Sequence, residues 1–377
     1  MFNPMNSDMF SSKKMKLMIQ DLERKQLDSL ISFIQERLKK LYNLGFSDER
    51  DTKAEILRGR FKKGLKCPKC GHTDLNKNGK MNGRQRYICK KCRITFDERS
   101  FSPLSNTRLS LEKWLKYCQL MIEGGTIKKC AEEINVSIPT SFFMRHRILD
   151  VLNLFLKNEI LEGIVEVDTC HVNESFKGSS KKNNFENKKY FYSFDRDRLP
   201  GGSFLFNKDF GRSIKFSKNV KQNQICINTA IDRNGHILTR IVDNDMGINN
   251  NVKTQNMMSF FEGKLSENVI FCAYVTSWYR TLAEKLNIRV RQSPRPNSSI
   301  YTVNHVYKYH WELKRWLRNF NGVATKYLNN YLAWFKFLFI SKKFTEFNRI
   351  KDLFMEFATE DLYLTQEMIK NRCVELL

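Results

Sequence analysis

The sequence predicts an α+β protein of several domains: a helical N-terminal arm, a four-cysteine ribbon, a helix-turn-helix and an α/β core. Three observations predict it. Two CxxC pairs, Cys67/Cys70 and Cys89/Cys92, bracket a basic, glycine-containing stretch. Residues 108–157 hold three helical patterns joined by tight turns, and from 160 to 320 β-branched runs alternate with helical ones. A chain of 377 residues has room for two or three domains at roughly 100–200 residues each. The expected boundaries are 1–60 for the arm, 61–100 for the ribbon, 101–160 for the helix-turn-helix, 161–340 for the core and 341–377 for a helical tail.

Charge narrows the partners. Lys and Arg total 65 against 40 Asp and Glu, a formal net charge of +25. Such a surplus favours a polyanion, nucleic acid ahead of an anionic membrane. The N-terminus MFNPMNSDMF has no basic segment followed by an apolar run, so no signal peptide is expected. The apolar stretch YLAWFKFLFI at 331–340 is too short to span a bilayer and carries Lys336. The expectation is a soluble, cytoplasmic, nucleoid-associated protein with no membrane partner. Of ten cysteines, those outside the CxxC pairs are scattered, which suits a reducing compartment.

In the arm, Met15, Met18, Ile19, Leu22, Leu27, Leu30, Ile31, Ile34, Leu38 and Leu41 recur at helical spacing. This pattern predicts one long or two shorter amphipathic helices, packed on the protein or pairing two copies into a homo-oligomer.

The ribbon, GLKCPKCGHTDLNKNGKMNGRQRYICKKCRITF, places Cys67, Cys70, Cys89 and Cys92 at the spacing of a tetrahedral thiolate zinc site. Four cysteines leave no open coordination position, so the Zn²⁺ is expected to be structural. RYICK is the clearest strand. Lys77, Lys80, Arg84, Arg86, Lys90, Lys91 and Arg93 suit the module to phosphate contacts.

In the next segment Ser110 is expected to cap a helix through EKWLKYCQLMIEG that stops at Gly124-Gly125, with TIKKCAEEINV as the second helix. Ser137 caps the third, with Pro139 tolerated in its first turn. In a helix-turn-helix the start of the recognition helix enters the major groove, which nominates Ser137, Thr140, Ser141 and Arg145 for bases and Lys128 and Lys129 for phosphates. An ordinary helical bundle with basic faces fits the same pattern.

The stretch GIVEVDTCHVNESFKG at 163–178 reads as a buried strand with Asp168 near its end. An ionised carboxylate is costly to bury unless paired or bound to metal, so Asp168 either ends the strand as a turn residue or holds a divalent cation. A polar, basic insertion, 177–222, follows, then a hairpin in QICINTAIDRNGHILTRIVDN turning at Asn234-Gly235. A helix at 253–264, a strand at 268–275, a helix at 277–286, a short strand at 288–292 and a helix from Val303 to Leu317 complete the core. That order is close to an RNase-H-like fold.

From roughly 60 to 340 the sequence resembles the zinc-ribbon DDE transposases of the insertion-sequence-1595 family. The resemblance rests on CPKC/CKKC followed by RITF, on SLEKWLKYCQLMIEGGTIKKCAEE, EVDTCHVNESFKG and TAIDRNGHIL, and on LKRWLRNFNGVATKYLNNYLAWF. It implies enzymes that cut and join DNA through two Mg²⁺ ions roughly 4 Å apart, held chiefly by carboxylates. Asp168 matches the first family aspartate, and Thr169 follows it where relatives usually carry glutamate. The second aspartate position falls at Tyr274 and the third acidic position at Tyr307, with Asn304 and Lys314 matching around it. A neutral phenol, with pKa about 10, is a poor Mg²⁺ ligand. Glu166 lies deeper in the same strand, Glu312 falls on another helix face, and Asp243 and Asp245 near the hairpin's end are the least remote substitutes.

The expected function is therefore a transposase-family protein that binds double-stranded DNA, element ends included, but lacks strand-transfer chemistry. It is a regulatory, domesticated or decaying copy. The alternative is an active transposase using Mg²⁺ through substituted ligands.

Overall fold

The computed structural model describes residues 49–62, 64–156, 159–175, 177, 224–242, 250–274, 277–292, 300–344 and 346–372. The amphipathic pattern of 15–41, all but Lys177 of the basic insertion, and Asp243 and Asp245 lie outside the described residues. The chain divides into two compact units, Met1–Glu98 and Arg99–Leu377.

In the first unit, helix α1 (Glu49–Arg60) precedes an antiparallel sheet of β1 (Leu75–Met81), β2 (Arg84–Cys89) and β3 (Thr95–Phe96), in that order. Asn82 and Gly83, at φ 50° and 74°, make the left-handed two-residue turn that joins β1 to β2. The core is small: Cys67, Cys89 and Phe96 are buried, with Phe61, Leu65, Leu75, Tyr87, Cys92 and Ile94 packed around them.

The second unit opens with α2 (Leu111–Ile122), α3 (Ile127–Glu133) and α4 (Ile138–Phe155). Each begins at a hydroxyl cap: Ser110 Oγ accepts from Lys113 N, Thr126 Oγ1 from Lys129 N and Ser137 Oγ from Thr140 N. Between α2 and α3 the chain turns at Gly124 (φ 76°) and Gly125. A Cβ on Gly125 would meet Leu120 O at 2.9 Å and Cys130 Sγ at 3.0 Å, so only glycine allows this approach.

The central sheet contains β4 (Ile164–Asn173), β5 (Gln224–Asp232), β6 (Ile237–Val242), β7 (Ile270–Ala273) and β8 (Arg289–Gln292), ordered β6-β5-β4-β7-β8. β4, β5 and β6 form an antiparallel meander, while β7 and β8 add in parallel. Helices α5 (Asn250–Phe261) and α6 (Ser277–Leu286) supply the crossovers. Val165 and Val167 of β4 pack with Met257, Phe260, Phe261 and Leu282 of these helices. Strand alternation turns Glu166 and Asp168 to the other face, where α7 (Asn304–Leu317) lies.

Helix α8 (Leu328–Ile340) explains the most apolar stretch of the sequence, because Tyr331 through Leu338 are all buried. A helix apolar all round belongs inside a protein. One side meets β6, where Asn329 Oδ1 accepts from Ile241 N at 3.0 Å. The other meets α4: the Arg145 guanidinium sits 4.9 Å over the Trp334 ring, and His146 lies 4.1 Å from the Tyr327 ring. Lys336, buried with its pKa lowered by that burial against the pull of Glu159, donates to Leu156 O and pairs with Glu159 at 2.8 Å. The tail helix α9 (Glu346–Thr359) stacks Phe357 on Trp114 of α2, and Arg372, beyond α10 (Gln366–Lys370), forks onto Asp150 of α4 with both contacts at 2.7 Å. The helical segment, expected as a domain of its own, therefore shares one core with the sheet and the tail. The shared apolar helix α8 is the physical reason.

Candidate functional site

Three groups of sequence-predicted residues can be located. The first is the cysteine cluster. Cys67 N donates to His72 O (2.8 Å) and Gly71 N to Cys67 O (2.8 Å); Cys89 N donates to Ile94 O (3.0 Å) and Arg93 N to Cys89 O (2.9 Å). The two CxxC loops are thus copies of one turn, each with its fifth residue left-handed: Gly71 at φ 71° and Arg93 at 57°. They bring four sulfurs within 4.8 Å of one another, with Cys67–Cys92 at 3.5 Å and Cys70–Cys89 at 3.6 Å. Tetrahedral Zn–S bonds of roughly 2.3 Å require sulfur separations of about 3.8 Å, so the donors fit that ion. The Cys89 thiol is pulled down to about 7, chiefly by the Cys92 amide, helped by the Lys91 amide and opposed by burial. Around this centre Lys77 and Lys80 are exposed, Arg86 is half-buried and Arg84 pairs with Asp97 at 3.2 Å.

The second group is the helical segment, where the structure corrects two assignments. Arg145 and Ser141 were expected to reach bases, yet both are fully buried. Arg145 Nη2 donates to Gly125 O at 2.6 Å, its guanidinium covers Trp334, and Ser141 Oγ donates to Ile127 O at 2.8 Å while Tyr117 donates to Ser141 O at 2.6 Å. Burial opposes the Arg145 charge, but Tyr117, Tyr331 and Cys130 outweigh it. These groups lock the turn between the helices. Lys128, Lys129 and Ser137 are exposed and Thr140 half-buried at the start of α3 and α4, although the Ser137 and Thr140 hydroxyls bond each other at 2.8 Å.

The third group surrounds Asp168. Register pairs Glu166 with Cys272, so two residues on Tyr274 follows β7 beside Asp168. Tyr307, on the first turn of α7, stacks on Tyr274 with ring centroids 6.0 Å apart and planes 19° apart. The three positions therefore lie together where β7 ends, beside the middle of β4; Asp168 is not near its strand's end as expected, because β4 runs on to Asn173 paired with β5. Spacing alone missed what holds Asp168: His310 Nδ1 stands 3.4 Å from its Oδ2. Burial opposes protonation of His310, but Cys170 and Asp168 outweigh it and push the imidazole up to about 9. Nearby His171 is pulled down by burial and by Lys314. Asp168 thus has an imidazole, and no second carboxylate among the described residues, as its close side-chain partner.

Of the alternative carboxylates, the two that are described, Glu166 and Glu312, are committed elsewhere. Glu166, 1% exposed, accepts from His305 N (2.7 Å) and Val306 N (3.1 Å) at the start of α7 and pairs with Arg233 at 2.6 Å. Glu312 pairs with Lys342. Among the described residues, the four cysteines are the one group of three or more His, Cys, Asp or Glu side chains close enough to share a metal. Among the described residues, no second carboxylate joins Asp168 in a group that could share a metal ion.

No family model matches the chain. A stretch of 137 residues is 29% identical to an uncharacterized protein in transposable element ISH50 of Halobacterium salinarum, covering 36% of this chain and 46% of that protein. The chain thus spans less than half the length of that relative. Among solved structures, the Mos1 strand transfer complex aligns at TM-score 0.27 and 16% identity over 69% of this chain and 80% of that one. The Mos1 transposase paired-end complex with left transposon end aligns at 0.26 and 16%, over 76% and 81%. Among the described residues no helix is long and apolar enough to cross a membrane.

Proposed function

We propose that the chain is a transposase-related DNA-binding protein without strand-transfer chemistry. Its zinc-binding ribbon and helix-turn-helix engage double-stranded DNA, and its RNase-H-like core has lost the ligand set for two-metal catalysis. One observation carries the loss of chemistry. Asp168 is flanked by Tyr274 and Tyr307 at the positions where carboxylates are needed, and His310 holds it from behind. Two Mg²⁺ ions require several oxygen ligands, chiefly carboxylates, and a neutral phenol is a poor substitute. The meander-plus-two-parallel-strands sheet supports the RNase-H-like reading, the net charge of +25 supports a nucleic-acid partner, and the relative in a mobile element supports the transposase connection.

The test is binding and strand cleavage on the DNA flanking the protein's own gene, with Mg²⁺ or Mn²⁺, beside Asp168→Ala. Salt-sensitive binding to duplex without cleavage is expected. Cleavage that vanishes in Asp168→Ala overturns the inactive reading and makes the chain a transposase with substituted ligands.

A further inference from the structure

The tyrosines that replace carboxylates do not sit alone. Tyr307, Trp311 and Arg315 occupy successive turns of α7, at i, i+4 and i+8, and so form one row on its outer side. Tyr274 extends the row at one end by stacking on Tyr307. At the other end the Arg315 guanidinium lies 4.6 Å over the Trp311 ring. Tyr274 is 47% and Trp311 43% exposed, although α7 has a buried side of its own in Val306, Tyr309, His310, Leu313 and Leu317. The row is therefore additional to the packing face.

Its charge is one-sided. Lys308, Arg315 and Arg318 are exposed and Lys314 is half-buried, while the acid of this helix, Glu312, is held by Lys342. Flat rings and a guanidinium plane set among cations match unpaired nucleobases, whose π-faces stack on aromatics while their phosphates take the surrounding charge. A duplex offers no free base face. An acidic protein partner would use the charge but not a row of ring planes.

We infer that the Tyr274–Tyr307–Trp311–Arg315 row is a stacking platform for the unpaired bases of single-stranded or locally opened DNA. This inference rests on the DNA-binding reading above. On it, the former metal site has become a base-holding site.

The test measures affinity of the full chain for an intact duplex and for the same duplex bearing a single-stranded flap with 2-aminopurine, in the parent, Trp311→Ala, Trp311→Phe and Tyr274→Ala. All replaced side chains are exposed, and circular dichroism checks that the variants fold. The parent is expected to prefer the flap and to quench 2-aminopurine. Trp311→Ala and Tyr274→Ala should each lose roughly 5- to 100-fold on the flap, the effect of one base stack, with duplex affinity unchanged and Trp311→Phe retaining much of the gain. Equal flap binding by parent and alanine variants overturns the platform while duplex binding stands. A parent that binds the flap through this row but not the duplex refutes the duplex-binding reading alone, and a parent that binds neither refutes both. Loss of binding to a captured acidic protein instead of to the flap overturns the base assignment.

Discussion

Glu166 is a buried carboxylate whose removal should unseat the helix that carries Tyr307 and His310. Its Oε2 accepts from His305 N (2.7 Å) and Val306 N (3.1 Å), so a strand residue caps α7 from across the core, where Val303 makes no side-chain cap. Its Oε1 faces Arg233 Nη1 (2.6 Å), His305 Nδ1 (2.7 Å) and Thr302 Oγ1 (3.3 Å). In Glu166→Gln the amide oxygen must stay on the helix amides, which turns the NH₂ toward the Arg233 guanidinium, donor against donor. The charge-assisted bond to Arg233 is lost, worth about 1.5–3 kcal/mol, and with it an anion at a helix N-terminus, worth about 0.3–2 kcal/mol. The expected destabilisation is thus ~2–4 kcal/mol, with Glu166→Ala costing more because two helix amides lose their acceptor as well. Urea unfolding followed by tryptophan fluorescence measures it, with an unchanged slope required for the comparison. A Gln variant within about 0.5 kcal/mol of the parent refutes the reasoning, since surface substitutions commonly do that little.

Further outcomes follow from the other contacts. Cys89→Ser should release the bound zinc and unfold the first unit, which hydrogen exchange of the β1–β2 amides reads directly; unchanged zinc content rejects the ribbon. Arg145→Ala should cost the fold ~2–4 kcal/mol through the lost Gly125 bond, the Trp334 contact and the cavity left behind, without altering which DNA sequence the folded variant prefers. His146 gives the pH dependence. Burial first, then Arg372, Arg145 and Lys326, pull its pKa down to about 3 in the folded chain. Its contribution is therefore complete above the unfolded value of about 6.5 and is lost as pH falls toward 3. Between pH 7 and pH 4 the parent should lose about 3 kcal/mol more than His146→Phe, which keeps the ring beside Phe142 and Tyr327 but does not titrate.

Local signals were readable where the chain's own chemistry decides them. Ser110 and Ser137 cap the helices they were expected to cap, and 277–286 is helical over the expected residues; the hairpin forms as expected but turns at Arg233-Asn234, with Gly235 as the left-handed residue that follows. The cysteine spacing is equally local, because each CxxC closes its own turn. Facing was not readable in α4. A helix covered on more than one side carries no single apolar stripe, so Arg145 reads as a solvent-facing charge when it is in fact the plug under Gly125. The Asp168–His310 pair was hidden for a different reason: residues far apart in the chain meet only because β4 and α7 pack face to face. Glu166 likewise reads as a displaced relative of Asp168 until its helix partner is seen.

The seating of α4 on α8 bears on how such a protein can be reassembled by recombination. The chain divides after Glu98, so the three capped helices belong to the same compact unit as the sheet. A crossover between α4 and β4 would set Trp334, Tyr331 and the charge of Lys336 against a foreign helix in place of Arg145, His146 and Leu156. The three capped helices are inherited together with the sheet, so a new surface on their exposed faces must arise by substitution in place.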